Sequence, residues 1–209
     1  MPRSSLRSHH TAARSSMRSL AAAALALMVS ATGASQAISA EADGATEAPP
    51  GYTWYEFSAG DSAYLRPNGW FIKTEVKGDT ATLAISKENI EVRGSFDTGL
   101  TVNVVRKIKA KTGVKPSEYS VAYLGKLMES KKDVLTRFST PPQSGFSGLG
   151  ARYRDSEPPP ATIVHTYLLA DDEADVLRII IFEAPEKDWD AAWVHGEKML
   201  NGKAWRVEP

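Results

Sequence analysis

The sequence predicts an α+β fold: an antiparallel β-sheet sandwiched between helices in an α/β/α arrangement. Most segments alternate apolar and polar residues and are joined by short turns, which favours antiparallel pairing of neighbouring strands. One of these segments, Ile179–Phe182, is apolar on both faces, as a strand covered on both sides must be. Two amphipathic helical segments, beginning near Pro116 and Glu186, supply that cover.

Composition sets the outer limits of the interpretation. The chain has 209 residues, 42% of them hydrophobic and 24% charged, and no cysteine. These values are typical of one globular domain. The absence of cysteine excludes disulfide staples, thiol catalysis and thiolate zinc sites.

An export signal is predicted over residues 1–40. Four arginines and no acidic residue open this segment, the apolar run Leu20–Val29 follows, and small residues lead to candidate cleavage after Ala37 or Ala40. This order is typical of a secretory signal peptide. We therefore expect a periplasmic or secreted protein. The Arg- and Ser-rich start also suits an organelle import signal, which leaves the thylakoid lumen as the alternative.

The remaining chain divides into a flexible leader, residues 41–51, and a folded domain, residues 52–209. All 25 acidic residues lie beyond residue 40, whereas four of the 25 basic residues precede it, so residues 41–209 carry a net charge of −4. A mildly acidic domain lacks the excess of basic residues with which proteins bind the phosphates of nucleic acid. No stretch of this domain has the ~20 apolar residues of a membrane span.

Hydrophobic periodicity gives the order of the elements. Strands are predicted over Tyr52–Ser58, Ala63–Arg66, Trp70–Val76, Thr80–Ser86 and Leu100–Ile108. A loop is predicted over residues 87–98, and a helix begins at Pro116, where proline suits the first turn. Further strands are predicted over Val134–Ser139, Ala151–Asp155, Thr162–Leu169 and Val176–Glu183, and a last helix over Glu186–Asn201. Thr140–Gly150 is rich in Pro, Gly and Ser and is predicted to be irregular.

Several motifs, in this order, resemble the PsbP family over about residues 52–207. The turn Pro67-Asn68-Gly69-Trp70 is similar to the family's P-x-x-W element, and Pro116-Ser117-Glu118-Tyr119 to the start of its first helix. The strand ending Phe182-Glu183-Ala184-Pro185, followed by Trp189 and a long helix, is the best match.

The resemblance implies a non-enzymatic binding or accessory module. PsbP is an extrinsic lumenal subunit of photosystem II that supports calcium and chloride retention. In a photosynthetic host the implied role is therefore a photosystem II extrinsic or assembly subunit; otherwise it is a periplasmic protein with an unknown ligand. The expected partner is a protein, with a membrane complex among the candidates.

The densest acidic cluster, Asp171, Asp172, Glu173 and Asp175, is the candidate metal site, and calcium the candidate cofactor. Hard cations prefer several oxygen ligands, and the spacing resembles the start of a calcium loop. The sixth loop position is Val176 instead of Gly, so the specific motif fails. The alternative is a solvated hairpin turn.

A small exported hydrolase using Ser147 and His165 is the rival interpretation. Gly145-Phe146-Ser147-Gly148 lacks the second spaced glycine of a nucleophile elbow, so the motif for this chemistry is incomplete. His195, the other histidine of the domain, is predicted to lie on the solvated side of the last helix.

Three aromatic residues are the candidates for partner contact. Phe146 falls at the centre of the Gly-rich segment, where a loop on a rigid scaffold often carries binding. Trp54 and Tyr55 lie near the N-terminal edge of the domain and are predicted to be exposed. The tryptophans at 70, 189 and 193 are assigned to core packing.

Overall fold

The computed structural model describes residues 47–143, 145–157, 159–202 and 204–205. The predicted export signal, residues 1–40, and the first part of the leader, residues 41–46, lie outside the described residues. The strands are β1 (Tyr52–Phe57), β2 (Ser62–Pro67), β3 (Phe71–Lys77), β4 (Thr80–Ser86), β5 (Gly99–Arg106), β6 (Asp133–Gln143), β7 (Phe146–Asp155), β8 (Thr162–Asp171), β9 (Val176–Pro185) and β10 (Ala204–Trp205). The helices are α1 (Ile90–Arg93), α2 (Ile108–Thr112), α3 (Pro116–Glu129) and α4 (Trp189–Asn201).

Seven strands form the main sheet, in the order β3-β4-β5-β9-β8-β7-β6, and every pair of neighbours is antiparallel. The central pairings β5–β9 and β8–β9 run without a register shift. β1, β2 and β10 form a second, three-stranded antiparallel sheet.

The main sheet buries a different core on each face, because successive residues of a strand point to opposite sides. Leu124 and Met128 of α3 pack with Val164, Leu168 and Leu177 on one side, which we call the α3 face. On the other side, the α4 face, helix α4 and the small sheet share the cover. Their contacts there involve Phe57, Tyr64, Ile180, Phe182, Trp189 and Met199.

The observed fold confirms the predicted antiparallel sheet with a few helices. The molecule is dominated by sheet: one face is covered by a single long helix, and the other by a helix together with β1 and β2. Both predicted long helices are present. The last one begins at Trp189, after a 3-10 turn over Glu186–Asp188.

The prediction of irregular structure over Thr140–Gly150 is wrong. β6 and β7 instead pair along most of this segment, and the chain turns near Gly145, whose φ of 82° favours glycine. Gly150 lies within β7. A larger residue would not fit there, because the ring of Phe138 on the neighbouring strand occupies the space that a Cβ would need. The glycines that suggested a loop therefore make room for side chains of the sheet.

Two short helices were not anticipated. Helix α1 lies in the predicted loop 87–98, and Asn89 caps it by accepting a hydrogen bond from the backbone N–H of Glu91 (3.0 Å). Helix α2 follows β5 directly, where Lys107 adopts a left-handed conformation (φ 61°). Neither helix is long enough to leave a readable periodicity.

Candidate functional site

The acidic turn between β8 and β9 holds two helices in place. Asp172 accepts hydrogen bonds from the backbone N–H (2.8 Å) and the hydroxyl (2.7 Å) of Ser117, at the start of α3. Lys115, the residue before α3, makes no side-chain cap, so Asp172 supplies from across the fold the acceptor that the helix lacks locally.

Asp175 likewise accepts a backbone hydrogen bond at the start of the short helix α2. One of its carboxylate oxygens accepts a hydrogen bond from the backbone N–H of Lys109 (2.7 Å). Asp171 stays within the turn, where Oδ1 accepts from the backbone N–H groups of Glu173 (3.1 Å) and Ala174 (2.9 Å). The three aspartates thus all have backbone partners.

These contacts lower the pKa of the Asp172 carboxyl. Partial desolvation acts to raise it, but the hydrogen bonds from Ser117 and the charge of Lys115 outweigh that effect. Within the described residues, no group of three or more His, Asp or Glu side chains is arranged to hold a metal ion. Two of the four candidate calcium ligands, Asp172 and Asp175, are placed as helix caps, Asp171 closes the turn, and Glu173 is exposed in it.

The pairing of Ser147 with His165 that the hydrolase interpretation needs is wrong. In the β7–β8 register, Ser147 lies opposite Ala170, whereas His165 lies opposite Arg152. Five residues separate the two positions along β7, so the two side chains project from opposite faces of the sheet. His165 belongs to the α4 face and Ser147 to the α3 face.

The candidate partner contacts are half-buried. Phe146 opens β7, packs against the core of the α4 face, and has the guanidinium of Arg178 over its ring (5.4 Å). It is therefore not the tip of a loop. Trp54 and Tyr55 lie in β1, and Tyr55 packs against the same core.

Aromatic side chains and one arginine converge on the α4 face of β6, β7 and β8. We call the set of Phe138, Arg152, His165, Tyr167 and Trp193 the aromatic–arginine patch. His165 stacks on Phe138 with ring centroids 4.8 Å apart, and Trp193 of α4 lies 4.7 Å from His165 on a tilted plane. All members except His165 are half-buried and so remain partly open to solvent.

Arg152 lies over a pair of stacked indoles. The rings of Trp189 and Trp193 are 5.2 Å apart and nearly parallel, and the Arg152 guanidinium carbon lies 4.2 Å from the Trp193 centroid and 4.9 Å from that of Trp189. Phe182 supports both indoles from the sheet with edge-on contacts. The guanidinium thus lies over an aromatic platform.

Burial lowers the pKa of the histidine in this patch. Desolvation, with the nearby positive charge of Arg152, lowers the pKa of His165 to about 4. Its Nδ1 atom is buried and has no hydrogen-bond partner among the described residues. His165 is therefore neutral at pH 7 and can neither form an ion pair nor act as a cation there.

The prediction that His195 is solvated is wrong. Its Nδ1 lies 2.7 Å from the hydroxyl oxygen of Tyr52, and its ring lies against Trp70 (5.3 Å). Burial and the charges of Lys198 and Lys87 lower its pKa. His195 links helix α4 to the start of β1.

Sequence reasoning did not find the aromatic–arginine patch, because its members come from three strands and a helix. Phe138 and Arg152 meet only through the β6–β7 register, which has shifts at two places and cannot be read from the sequence. The one available signal was the helical spacing of Trp189 and Trp193, which was assigned to core packing.

No family model matches the sequence, and the search of curated proteins found no match. Several solved structures are similar. They include the cyanobacterial PsbP (CyanoP) of Synechocystis (14% identity, TM-score 0.47, covering 80% of this chain and 98% of that one) and the Ran-binding protein Mog1p of Saccharomyces cerevisiae (12%, 0.46, 74% and 95%). A Pseudomonas aeruginosa protein of unknown function, PA94, is similar too (9%, 0.40, 76% and 98%).

The similar structures confirm the resemblance to PsbP that the sequence predicted. It concerns the fold alone and says nothing about activity or partner. Within the described part of the chain, no helix is long and apolar enough to cross a membrane.

Proposed function

We propose that this protein is a non-catalytic accessory protein that binds a protein partner through the aromatic–arginine patch. One observation carries the proposal: half-buried Phe138, Tyr167 and Trp193 lie on one face of the sheet together with an arginine that lies over Trp193. Aromatic residues and arginine dominate the energetic centres of protein interfaces.

The same geometry argues against hydrolytic chemistry. Ser147 and His165 lie on opposite faces of β7 and β8, so the histidine cannot take a proton from that hydroxyl. The neutral, deeply buried His165 serves better as part of an aromatic stack than as a general base at pH 7.

The proposal includes export to the periplasm, with the thylakoid lumen as the alternative. It is supported by the basic, apolar and small-residue order of residues 1–40. In a photosynthetic host we propose a photosystem II subunit or assembly intermediate as the partner, in keeping with the resemblance to PsbP. In any other host we propose an envelope protein.

Site-specific photo-crosslinking in the native host tests the binding proposal. A crosslinking amino acid at position 138 should capture one defined protein. The matched control carries the same amino acid at Val121, which is 62% exposed on the outside of α3, beyond the opposite face. Capture of the same proteins from both positions, or of none from position 138, contradicts the proposal.

Cell fractionation tests the location separately. The full chain should appear shortened in the periplasmic or lumenal fraction, and deletion of residues 1–40 should leave it in the cytoplasm. An unshortened chain in the cytoplasm would rule out export.

A further inference from the structure

An open cavity of about 410 Å³ lies beside the aromatic–arginine patch, between β6 and the first turn of α4. Its lining residues are Leu135, Thr136, Arg152, Ile163, Glu186, Trp189 and Asp190. Leu135 is the residue at which the β6–β7 register shifts, and it is 50% exposed. The volume falls in the range of small-molecule sites, ~300–1,000 Å³.

Arg152 is the cationic residue among those that line this cavity. Within the described residues it forms no ion pair and donates no hydrogen bond, and its Nε atom is buried. A guanidinium carries five N–H donors in a fixed plane, and leaving the buried Nε–H of Arg152 without an acceptor costs free energy. The stacked indoles hold that plane in position before any ligand arrives.

The other charges of the cavity narrow the class of ligand. Glu186 is already bound by Arg154, at 2.6 Å, so this pair cancels. Asp190 lines the cavity and Glu197 acts on Arg152 from a distance, and both are negative. A ligand with two or more negative charges would be repelled, whereas one carboxylate can pair with the guanidinium in a two-pronged geometry.

Part of the cavity wall is apolar. Leu135, Ile163 and the indole of Trp189 face the space next to Arg152. They suit an aliphatic or aromatic body attached to the charged group, since burial of apolar surface favours binding.

We propose that this cavity binds a small organic monocarboxylate with an apolar body, and that Arg152 holds its carboxylate. The cavity borders the aromatic–arginine patch and shares Arg152 with it, so this inference extends the site of the proposed function. Titration with a small molecule and crosslinking to a protein are independent readouts, so failure of one proposal is distinguishable from failure of the other.

The test is a titration of the full chain with 3-phenylpropionate, followed by tryptophan fluorescence and by calorimetry. Because Arg152 lies on Trp189 and Trp193, displacement of the guanidinium toward a carboxylate should change their emission. Phenethylamine and inorganic phosphate serve as the cationic and multiply charged probes. We expect saturable binding of the carboxylate alone.

Variants assign the binding to Arg152. Arg152→Gln should weaken the affinity by about tenfold or more, since hydrogen bonds between charged groups contribute ~1.5–3 kcal/mol. Arg152→Lys keeps the charge without the fork and should weaken it less. Arg137→Gln is the matched control, because Arg137 is exposed and projects from the opposite face of β6, and it should bind as the unaltered chain does.

Asp190→Asn gives a second criterion that leaves Arg152 and its platform intact. Removal of this negative charge should tighten carboxylate binding by about twofold to fivefold at low salt. The proposal is overturned by absence of saturable carboxylate binding, by preference for the amine or phosphate, or by equal affinity of the Arg152→Gln and Arg137→Gln variants.

Discussion

The acidic turn between β8 and β9 and the aromatic–arginine patch both involve β8, and they use their polar groups in opposite ways. In the turn, Asp171, Asp172 and Asp175 all accept backbone hydrogen bonds. In the patch, Arg152 has no acceptor and buried Nδ1 of His165 has no partner within the described residues. The comparison teaches that unmet hydrogen-bonding capacity, more than charge density, indicates where a ligand or partner can bind.

The largest expected effect comes from removing the support beneath the patch. Phe182 is fully buried and contacts both indoles, and Gly196 allows α4 to approach its ring closely. Phe182→Ala should lower the free energy of unfolding by about 3–5 kcal/mol and disturb the indole stack. Chemical denaturation measures the first effect and near-UV circular dichroism the second.

Leu168→Ala is the control from the α3 face. Leu168 is equally buried, and its loss should cost about 2–5 kcal/mol while leaving the tryptophan signal of the folded state unchanged. A similar loss of that signal in both variants would mean that the two faces do not behave as separate regions.

The second prediction concerns acid stability. The pKa of His165 is about 4 in the folded chain and 6.5 in the unfolded one, so the unfolded chain binds the proton more readily between these values. Stability should therefore be complete above pH 6.5 and fall as the pH decreases toward 4, by about 2 kcal/mol at pH 5. Denaturation series at pH 7 and pH 5 measure the difference.

His165→Phe should remove most of this pH dependence. His195 has a pKa lowered in the same direction, so His195→Gln is the matched control, which should leave the larger part of the dependence in place. The opposite ranking of the two variants would place the acid-sensitive group at the Tyr52 contact instead of in the patch.

The third prediction concerns the turn. Asp172→Ala removes the acceptor that holds the start of α3 and should cost about 1 kcal/mol at pH 7. Because the folded pKa of Asp172 lies below its ordinary value of 3.8, this contribution should be present above that pH and disappear as the pH falls through the folded pKa. The thermal midpoint of unfolding at pH 7 and pH 3 is the measurement.

Glu173→Ala removes the same charge from the same turn without removing a cap. It should change stability by less than about 0.5 kcal/mol, since changes at exposed surface positions are usually this small. Equal losses in the two variants would show that net charge, instead of the Ser117 contact, accounts for the effect of Asp172.

Local pattern was enough to predict the framework. Alternation identified β4 over Thr80–Ser86 with its observed bounds, and Pro116 marked the start of α3 correctly. The alternation and the proline each depend only on a few neighbouring residues. The pairing of β5 with β9 and the partner of Asp172 depend on residues 55 or more positions apart, and no local signal carries them.

The candidate sites were harder to predict for the same reason. Asp172 and Asp175 are conspicuous in the sequence because they belong to one short acidic cluster, although their partners, Ser117 and Lys109, are distant. No sequence pattern marks Arg152, because the indoles that it lies over, Trp189 and Trp193, belong to the distant helix α4. Ser147 was assigned to an irregular segment, so the face of the sheet from which it projects could not be predicted; in β7 it lies opposite Ala170, on the other face from His165.

The smallest expected effect tests whether the turn can also hold a metal. Calcium requires six or more oxygen ligands, and the carboxylates of Asp171, Asp172 and Asp175 already accept hydrogen bonds from the backbone. Millimolar calcium should therefore shift the thermal midpoint of the full chain by less than about 1 °C, with magnesium as the ionic-strength control. A saturable, calcium-specific rise that Asp175→Ala abolishes would mean that the caps exchange for a metal, because a ligand bound to the folded state stabilises it. That result would make the turn a binding site and remove its contrast with the aromatic–arginine patch.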